Sequence, residues 1–106
     1  MSEKLLVEEA RRRRAVFKDL WRHLERLHRI VKDLDPEAQV YLFGSVERGD
    51  NLLSSDIDVL IVSKLRPETV LARLWSEGVK EPFEIHVIRE EQLPLYNRKT
   101  RLKPLT

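Results

Sequence analysis

The chain has 106 residues, of which 42% are hydrophobic and 36% are charged, and its formal net charge at pH 7 is +2. This length suits one compact domain. No apolar run is long enough to span a membrane and no signal peptide is recognisable, so we expect a cytoplasmic protein. Cysteine is absent, which excludes disulfides, thiol catalysis and thiolate zinc sites and leaves carboxylates as ligands for any hard metal ion.

The charge is distributed unevenly along the chain. Residues 1–34 carry a net charge of +4, residues 35–88 carry −5 and residues 89–106 carry +3. An acidic middle segment argues against a protein that coats nucleic acid uniformly, and it indicates that the functional residues lie in the middle of the chain. Asn and Gln are rare, which is typical of proteins from hot environments and favours a thermophilic source.

The N-terminal region is predicted to be helical. Apolar residues recur every three or four positions from Phe17 to Leu34, and the helix should end before Asp35-Pro36 because the residue before a proline is pushed out of the helical region. The pattern continues toward the N-terminus with an interruption at Arg13. A single helix over residues 3–34 would be ~48 Å long, so we expect its first turns to break, fray or project toward a partner.

The rest of the sequence predicts three strands with helices between them. The predicted elements are a strand over 40–43, a short helix over 46–48, a strand over 56–62, a helix from 67 to 78 and a strand over 83–88. The continuous apolar run of the second strand is typical of a central strand covered on both faces. The order predicts an α/β or α+β domain with a small mixed sheet flanked by helices. Within this one domain we expect an N-terminal helical region over 1–34, a sheet core over 39–88 and a basic C-terminal tail over 89–106.

Two aspartates open the second predicted strand. Asp56 and Asp58 are two residues apart, so in a strand both carboxylates point to the same face. Adjacent carboxylates repel each other unless a cation lies between them, and oxygen ligands of this kind suit Mg²⁺. An Asp-x-Asp pair on a solvated edge strand would need no metal. The apolar run that follows favours a central strand instead, and therefore a metal-binding site.

A glycine and a serine follow the first predicted strand. Gly44 allows the backbone to approach a ligand closely, and Ser45 at the start of a short helix offers a hydroxyl next to unpaired N–H groups that favour phosphate. The alternative is that Gly44 makes a tight turn and Ser45 caps the helix. The Asp-x-Asp pair one short helix later favours the phosphate-binding interpretation.

Together these segments resemble a known superfamily. Phe43-Gly44-Ser45, Arg48-Gly49 and Ser55-Asp56-Ile57-Asp58-Val59 are similar to the motifs of the nucleotidyltransferases that include DNA polymerase β. The size is similar to that of the minimal nucleotidyltransferases of prokaryotes, which are often encoded beside HEPN-domain toxins as their antitoxins. The resemblance implies a polymerase-β-like fold and metal-dependent transfer of a nucleotide.

The resemblance also implies roles for individual residues. Asp56 and Asp58 would bind two Mg²⁺ ions, Glu84 in Phe83-Glu84-Ile85 would be the third metal-binding and catalytic carboxylate, and Gly44 and Ser45 would hold the phosphates of ATP. Arg48 is a secondary candidate for phosphate binding, with a salt bridge as its alternative. For His86, which shares a strand face with Glu84, a structural role, a role beside phosphate and a catalytic role all stay open.

The acceptor implied by the resemblance is a hydroxyl on a HEPN-domain toxin partner, which would receive AMP from ATP. Two alternatives stay open. The chain could be a binding antitoxin that neutralises its partner by occlusion, or a domain that binds or modifies nucleic acid through its basic ends. The run from Arg11 to Arg14 favours the last alternative only weakly, because four consecutive helical residues point in all directions around the helix. The sequence leaves the oligomeric state open, so a homo-oligomer remains among the alternatives.

Overall fold

The helical region that precedes the sheet consists of two helices. The computed structural model describes residues 3–49 and 56–105, without the side chain of Ser45. Helix α1 spans Glu3–Lys18 and helix α2 spans Leu20–Leu34, and they are separated at Asp19, whose φ of −119° and ψ of 39° lie outside the helical region. The break therefore lies at Asp19, inside the stretch of residues 17–34 that the sequence predicts as one helix, and not in the first turns, which are helical from Glu3.

The two helices differ in how they pack. Helix α2 buries its apolar stripe through Leu24, Leu27, Ile30 and Val31, whereas Val16 is the one buried residue among those that form α1. In the first turns of α1 the apolar residues Leu5, Leu6 and Val7 are exposed. Most of the hydrophobic stabilisation of this region therefore comes from α2.

Four strands form one mixed sheet. Strand β1 spans Gln39–Phe43, β2 spans Ile57–Val62, β3 spans Phe83–Ile88 and β4 spans Lys103–Pro104, in the spatial order β3-β2-β1-β4. Strand β2 is antiparallel to β1 and parallel to β3, and β4 is antiparallel to β1. The predicted α+β class with a small mixed sheet is confirmed, and β2 is central as its apolar run predicts.

Helices connect and cover the strands. Helix α3 (Gly44–Glu47) directly follows β1, and α4 (Pro67–Ser76) is the crossover that the parallel pair of β2 and β3 requires. A 3₁₀ turn over Glu90–Gln92 and helix α5 (Leu93–Lys99) follow β3. No helix within residues 3–49 and 56–105 is long and apolar enough to cross a membrane.

The two faces of β2 are buried in different ways. Ile57, Val59 and Ile61 belong to the main core with residues of α2 and α4. Leu60 and Val62 point to the opposite face, where α5 and the segment after it supply the partly buried cover. Asp58 alternates with the residues of the main core and therefore lies on the α5 side of the sheet.

The C-terminal tail contributes more structure than its sequence predicts. The sequence indicates only a helical turn over residues 90–92, whereas the structure adds α5 and β4. Pro94 lies in the first turn of α5, where a proline is compatible with a helix. A strand of two residues, β4, leaves no periodic pattern to recognise.

Candidate active site

Two carboxylates lie side by side where β2 and β3 begin. Asp58 is paired in register with Glu84 across the parallel strands, and it faces Phe43, the last residue of β1, across the antiparallel pair. Because paired residues of neighbouring strands point to the same face, the side chains of Asp58 and Glu84 project together. The sheet therefore brings together two residues that are 26 positions apart in the sequence.

Gly44 closes this site from the side of β1. It begins α3 with a φ of +78°, a conformation that favours glycine, and a Cβ at this position would collide with the Oδ2 atom of Asp58. The sequence prediction that glycine permits a close approach is consistent with this contact, although the group approached is Asp58 itself. The backbone of Ser45 lies in α3, while its side chain, like residues 50–55, lies outside what the structure describes.

His86 completes a cluster of three donor groups. Its Nε2 atom lies 3.7 Å from Oδ1 of Asp58 and 3.7 Å from Oε1 of Glu84. The Nε2 atom is buried and has no hydrogen-bond partner among the described residues. The ligand atoms of Asp58, Glu84 and His86 all lie within 4.8 Å of one another.

The site raises the pKa of Glu84 above its ordinary value. Partial burial contributes most to the rise, followed by the charge of Asp58, while His86 acts in the opposite direction. Asp56 and a hydrogen bond with Asp58 add smaller contributions that raise the pKa. The part of this rise that comes from Asp58 and Asp56 indicates a place where a cation would be stabilised.

Asp56 lies just before β2 and has a partner that the sequence reasoning missed. Nη2 of Arg13 on α1 lies 3.3 Å from Oδ1 of Asp56. Residues 49–63 contain no lysine or arginine, and a helix residue 43 positions away supplies the positive charge. A signal was present: Arg13 lies three residues after Ala10 and four before Phe17, so it occupies the helix face that carries the apolar stripe.

A groove with basic walls lies beside α3. It is lined by Arg48 at the end of α3 together with Lys99, Thr100 and Arg101 after α5, and Glu47 contributes a carboxylate. Nε of Arg101 lies 4.0 Å from Oε1 of Glu47, whose side chain is nearly buried. Arg48 itself is exposed. Its role toward phosphate stays a prediction.

The donor groups of the cluster fit a divalent cation. Two carboxylates and an imidazole nitrogen converge there, and the buried Nε2 of His86 lacks, within the described part of the chain, the hydrogen bond that a buried polar atom normally makes. Gly44 leaves the space beside Asp58 free of a side chain. Asp56 remains outside this group of three and is paired with Arg13.

Comparison with known proteins supports the fold. The family described as "Nucleotidyltransferase domain" matches residues 24–105. The chain is 31% identical over 81 residues to "Terminal uridylyltransferase cid1" of Schizosaccharomyces pombe, covering 74% of this chain and 20% of that protein. It is 33% identical over 76 residues to "Inactive non-canonical poly(A) RNA polymerase protein Trf4-2" of Drosophila melanogaster, covering 68% of this chain and 19% of that protein.

The chain thus spans about a fifth of the length of these relatives. No solved structure gives a significant match. The family match covers β1, α3, β2 and β3, the elements that carry Gly44, Asp58 and Glu84, and it ends with the tail strand. The chain belongs to the nucleotidyltransferase domain family of polymerase-β-like enzymes.

Proposed function

We propose that this domain transfers AMP from ATP to a hydroxyl acceptor in a reaction that requires Mg²⁺. The observation that carries the proposal is the pairing of Asp58 with Glu84 on adjacent parallel strands, directly beside the glycine that opens α3. One of the two relatives is described as inactive, so family membership alone does not establish catalysis. The case for activity therefore rests on these carboxylates.

Each residue has a definite task in the proposed reaction. Asp56 and Asp58 hold the cations, and Gly44 and Ser45 face the β- and γ-phosphates of ATP. Two bound Mg²⁺ ions supply charge neutralisation on the triphosphate and make the acceptor hydroxyl more acidic. Glu84 accepts the hydroxyl proton, a role that its raised pKa supports.

The bond changes in the proposed transfer are simple. The acceptor oxygen forms a bond with the α-phosphorus, and the bond from the α-phosphorus to the oxygen that bridges to the β-phosphorus breaks. Pyrophosphate leaves with that oxygen and its electron pair. Since no covalent intermediate with the protein is needed, its contribution is alignment and the stabilisation of charge.

We propose that the acceptor hydroxyl belongs to a HEPN-domain partner, which the chain would neutralise as an antitoxin. The similarity of the two motifs to those of minimal nucleotidyltransferases supports this acceptor. The exposed apolar residues Leu5, Leu6 and Val7 at the start of α1 are suitable material for a contact with such a partner. Neutralisation by occlusion without transfer is the alternative for the same partner.

An RNA end is the second candidate acceptor. The names of the relatives refer to terminal uridylyl transfer and to a poly(A) RNA polymerase, and the groove lined by Arg48, Lys99 and Arg101 offers positive charge for a phosphate backbone. This candidate predicts that an RNA oligonucleotide, rather than a protein, gains the label.

The test is incubation of the full chain with Mg²⁺ and α-labelled ATP or UTP, either with a HEPN-domain protein encoded beside it or with an RNA oligonucleotide. Label and added mass on the protein support the first acceptor, and elongation of the oligonucleotide supports the second. Absence of label on both contradicts the proposed activity.

Asp58→Asn is the matched variant for this test. It should reduce transfer by at least about a thousandfold, because loss of a charge that stabilises the transition state typically costs several kcal/mol. Asp19→Asn is the control, since Asp19 is an exposed N-cap residue and asparagine serves equally well there. If Asp56→Asn and Asp58→Asn leave neutralisation of the partner intact, occlusion replaces transfer as the mechanism.

A further inference from the structure

The imidazole of His86 has an unusual position for a strand residue. Its Nε2 atom is equally distant from one oxygen of Asp58 and one oxygen of Glu84, at 3.7 Å from each. This distance is too long for a hydrogen bond, for which about 2.7–3.2 Å is normal when nitrogen is the donor. The atom is also buried and has no hydrogen-bond partner among the described residues. Within the described part of the chain, His86 thus directs Nε2 toward two carboxylates without a hydrogen bond to either.

The separation is suitable for donors that share one metal ion. First-row divalent ions bind nitrogen and oxygen at about 2.0–2.2 Å, so two donors on one ion lie at most about 4.4 Å apart. Both 3.7 Å separations fall within this limit. The full set of three donors lies within 4.8 Å, and small movements of the carboxylates would bring all of them to one ion.

Two aromatic side chains pack against the His86 ring. The ring of Phe43 meets the His86 ring edge-on at a centroid distance of 5.3 Å, and Tyr96 of α5 lies 6.5 Å away. Aromatic neighbours of this kind limit the rotation of the imidazole without competing for its nitrogen. They therefore hold Nε2 toward Asp58 and Glu84.

We propose that His86 is a metal ligand through Nε2, together with Asp58 and Glu84, and that this site prefers a divalent transition-metal ion such as Mn²⁺ to Mg²⁺. Mg²⁺ favours oxygen donors only, whereas an imidazole nitrogen shifts the preference toward first-row transition metals. The inference deepens the proposed function, on which it rests, by assigning a nitrogen ligand and an ion class to the site that includes Glu84. Asp56 lies outside this donor group and is paired with Arg13, so it would hold the Mg²⁺ that accompanies the triphosphate in competition with that guanidinium.

The experiment is pulsed electron paramagnetic resonance on the full chain with one equivalent of Mn²⁺ and no nucleotide. A directly bound imidazole gives a ¹⁴N modulation of the Mn²⁺ signal, and this modulation should change to the ¹⁵N pattern when the wild-type chain is labelled with ¹⁵N-histidine. The labelling experiment needs no substitution, so it does not depend on whether a variant folds. Absence of nitrogen modulation with Mn²⁺ bound, or Mn²⁺ binding weaker than millimolar, overturns the proposal.

Two histidine variants identify the ligand. His86→Gln should abolish the ¹⁴N modulation and weaken Mn²⁺ binding at least tenfold, with little change in Mg²⁺ affinity. His28→Gln on α2 is the matched control and should retain both the modulation and the Mn²⁺ affinity. Equal Mn²⁺ affinity of the His86 variant and the wild type contradicts the proposal.

The results separate this inference from the proposed function. Nitrogen modulation without nucleotide transfer supports the metal site and contradicts the transfer reaction. Transfer with Mg²⁺ in a chain that shows no nitrogen modulation supports the reaction and overturns the role of His86. Calorimetric titration with Mg²⁺ and Mn²⁺ measures the selectivity directly, and equal affinities for the two ions in the wild type contradict the preference.

Discussion

Two structural features require a glycine at position 44. The backbone there is left-handed, with a φ of +78°, and the space where a Cβ would lie is taken by the carboxylate of Asp58. Gly78, at the end of α4, has a similar φ of +84°, but a Cβ added there would meet no atom of the described residues within 4 Å. A substitution at Gly78 would therefore introduce backbone strain alone, whereas one at Gly44 would introduce backbone strain and a collision with Asp58.

Gly44→Ala is expected to destabilise the domain more than Gly78→Ala. Both variants should lose about 1–2 kcal/mol from left-handed backbone strain, and the Gly44 variant should lose more because Asp58 must move. The Gly44 variant should also bind Mn²⁺ or Mg²⁺ more weakly, while the Gly78 variant binds as the wild type does. Urea unfolding and calorimetric metal titration measure the two effects. Equal destabilisation together with unchanged metal binding would show that the collision is relieved without cost.

The surroundings of Glu84 disfavour the negative charge of its ionised carboxylate. Its pKa is raised by burial first and then by Asp58, so the protonated form is more stable in the folded chain than in the unfolded chain. By linkage, ionised Glu84 lowers the folding stability at neutral pH, and this penalty disappears as the pH falls through the raised pKa. The effect is small because 52% of the side chain is exposed.

Glu84→Gln should therefore raise the thermal midpoint slightly at pH 7.5 in EDTA, and this advantage should shrink toward pH 4.5. Saturating Mn²⁺ should reverse the order, because the wild type gains stability from binding and the variant gains much less. Glu25→Gln, which replaces an exposed glutamate of α2, is the control and should show neither effect. A constant difference between Glu84→Gln and the wild type across this pH range would contradict the raised pKa.

At the scale of elements, helix α1 packs against the main core near its C-terminal end, through Val16 and the partly buried Phe17. Val16 is the one buried residue among those that form it, and Arg13 pairs with Asp56 at the start of β2. A pair this exposed contributes at most about 1 kcal/mol to stability. The pair has a larger effect on cation binding. The guanidinium of Arg13 lies next to the carboxylate of Asp56, which is proposed to bind a cation, and therefore competes with that cation.

Arg13→Ala should increase hydrogen exchange in α1 without a large change in the thermal midpoint of the domain. The same variant should bind Mg²⁺ several-fold more tightly, because Asp56 loses a competing positive charge. Arg12→Ala removes an equal charge from an exposed position of the same helix and serves as the control. If both variants bind Mg²⁺ equally well, the effect of Arg13 is one of net charge and not of its contact with Asp56.

At the scale of the whole molecule, basic ends surround an acidic middle. The tail folds back so that Lys99 and Arg101 lie in one groove with Arg48 at the end of α3. This places positive charge beside the helix that is proposed to face the phosphates of ATP. Electrostatic attraction of a triphosphate to such a groove is screened by salt.

The double variant Lys99→Ala/Arg101→Ala should weaken ATP binding several-fold and reduce the dependence of that binding on salt concentration. Lys64 lies beyond the opposite end of β2, so Lys64→Ala is the control and should leave both quantities unchanged. Fluorescence anisotropy with a labelled ATP analogue between low and high salt measures both. An unchanged salt dependence in the double variant would exclude the groove from triphosphate binding.

The sequence predicts those parts of the fold that have a local pattern. The three main strands, α2, α4 and the central position of β2 follow from periodicity and from Pro67 and Gly78 at helix ends, and the fold class follows from their order. Strand β4 and the salt bridge of Arg13 cannot be predicted from local patterns, because each depends on contacts between segments that are distant in the sequence. The nearness of Asp58 and Glu84 could be expected from the family resemblance, and that of His86 from the strand face it shares with Glu84. The lack of a hydrogen bond to Nε2 of His86 among the described residues depends on three-dimensional packing and has no signal in the sequence.

Strand β4 has a consequence for how the domain behaves at high concentration. It pairs with β1 through Tyr41 and Leu42, and the Leu105 N–H donates to the carbonyl of Val40 at 2.8 Å. The strand consists of Lys103, whose charged Nζ lies 4.6 Å from the centre of the Trp21 ring, and Pro104, which has no N–H to donate. An edge with these two residues is a poor template for a strand from another molecule. The short tail strand thus protects the apolar strand β1 from edge-to-edge aggregation.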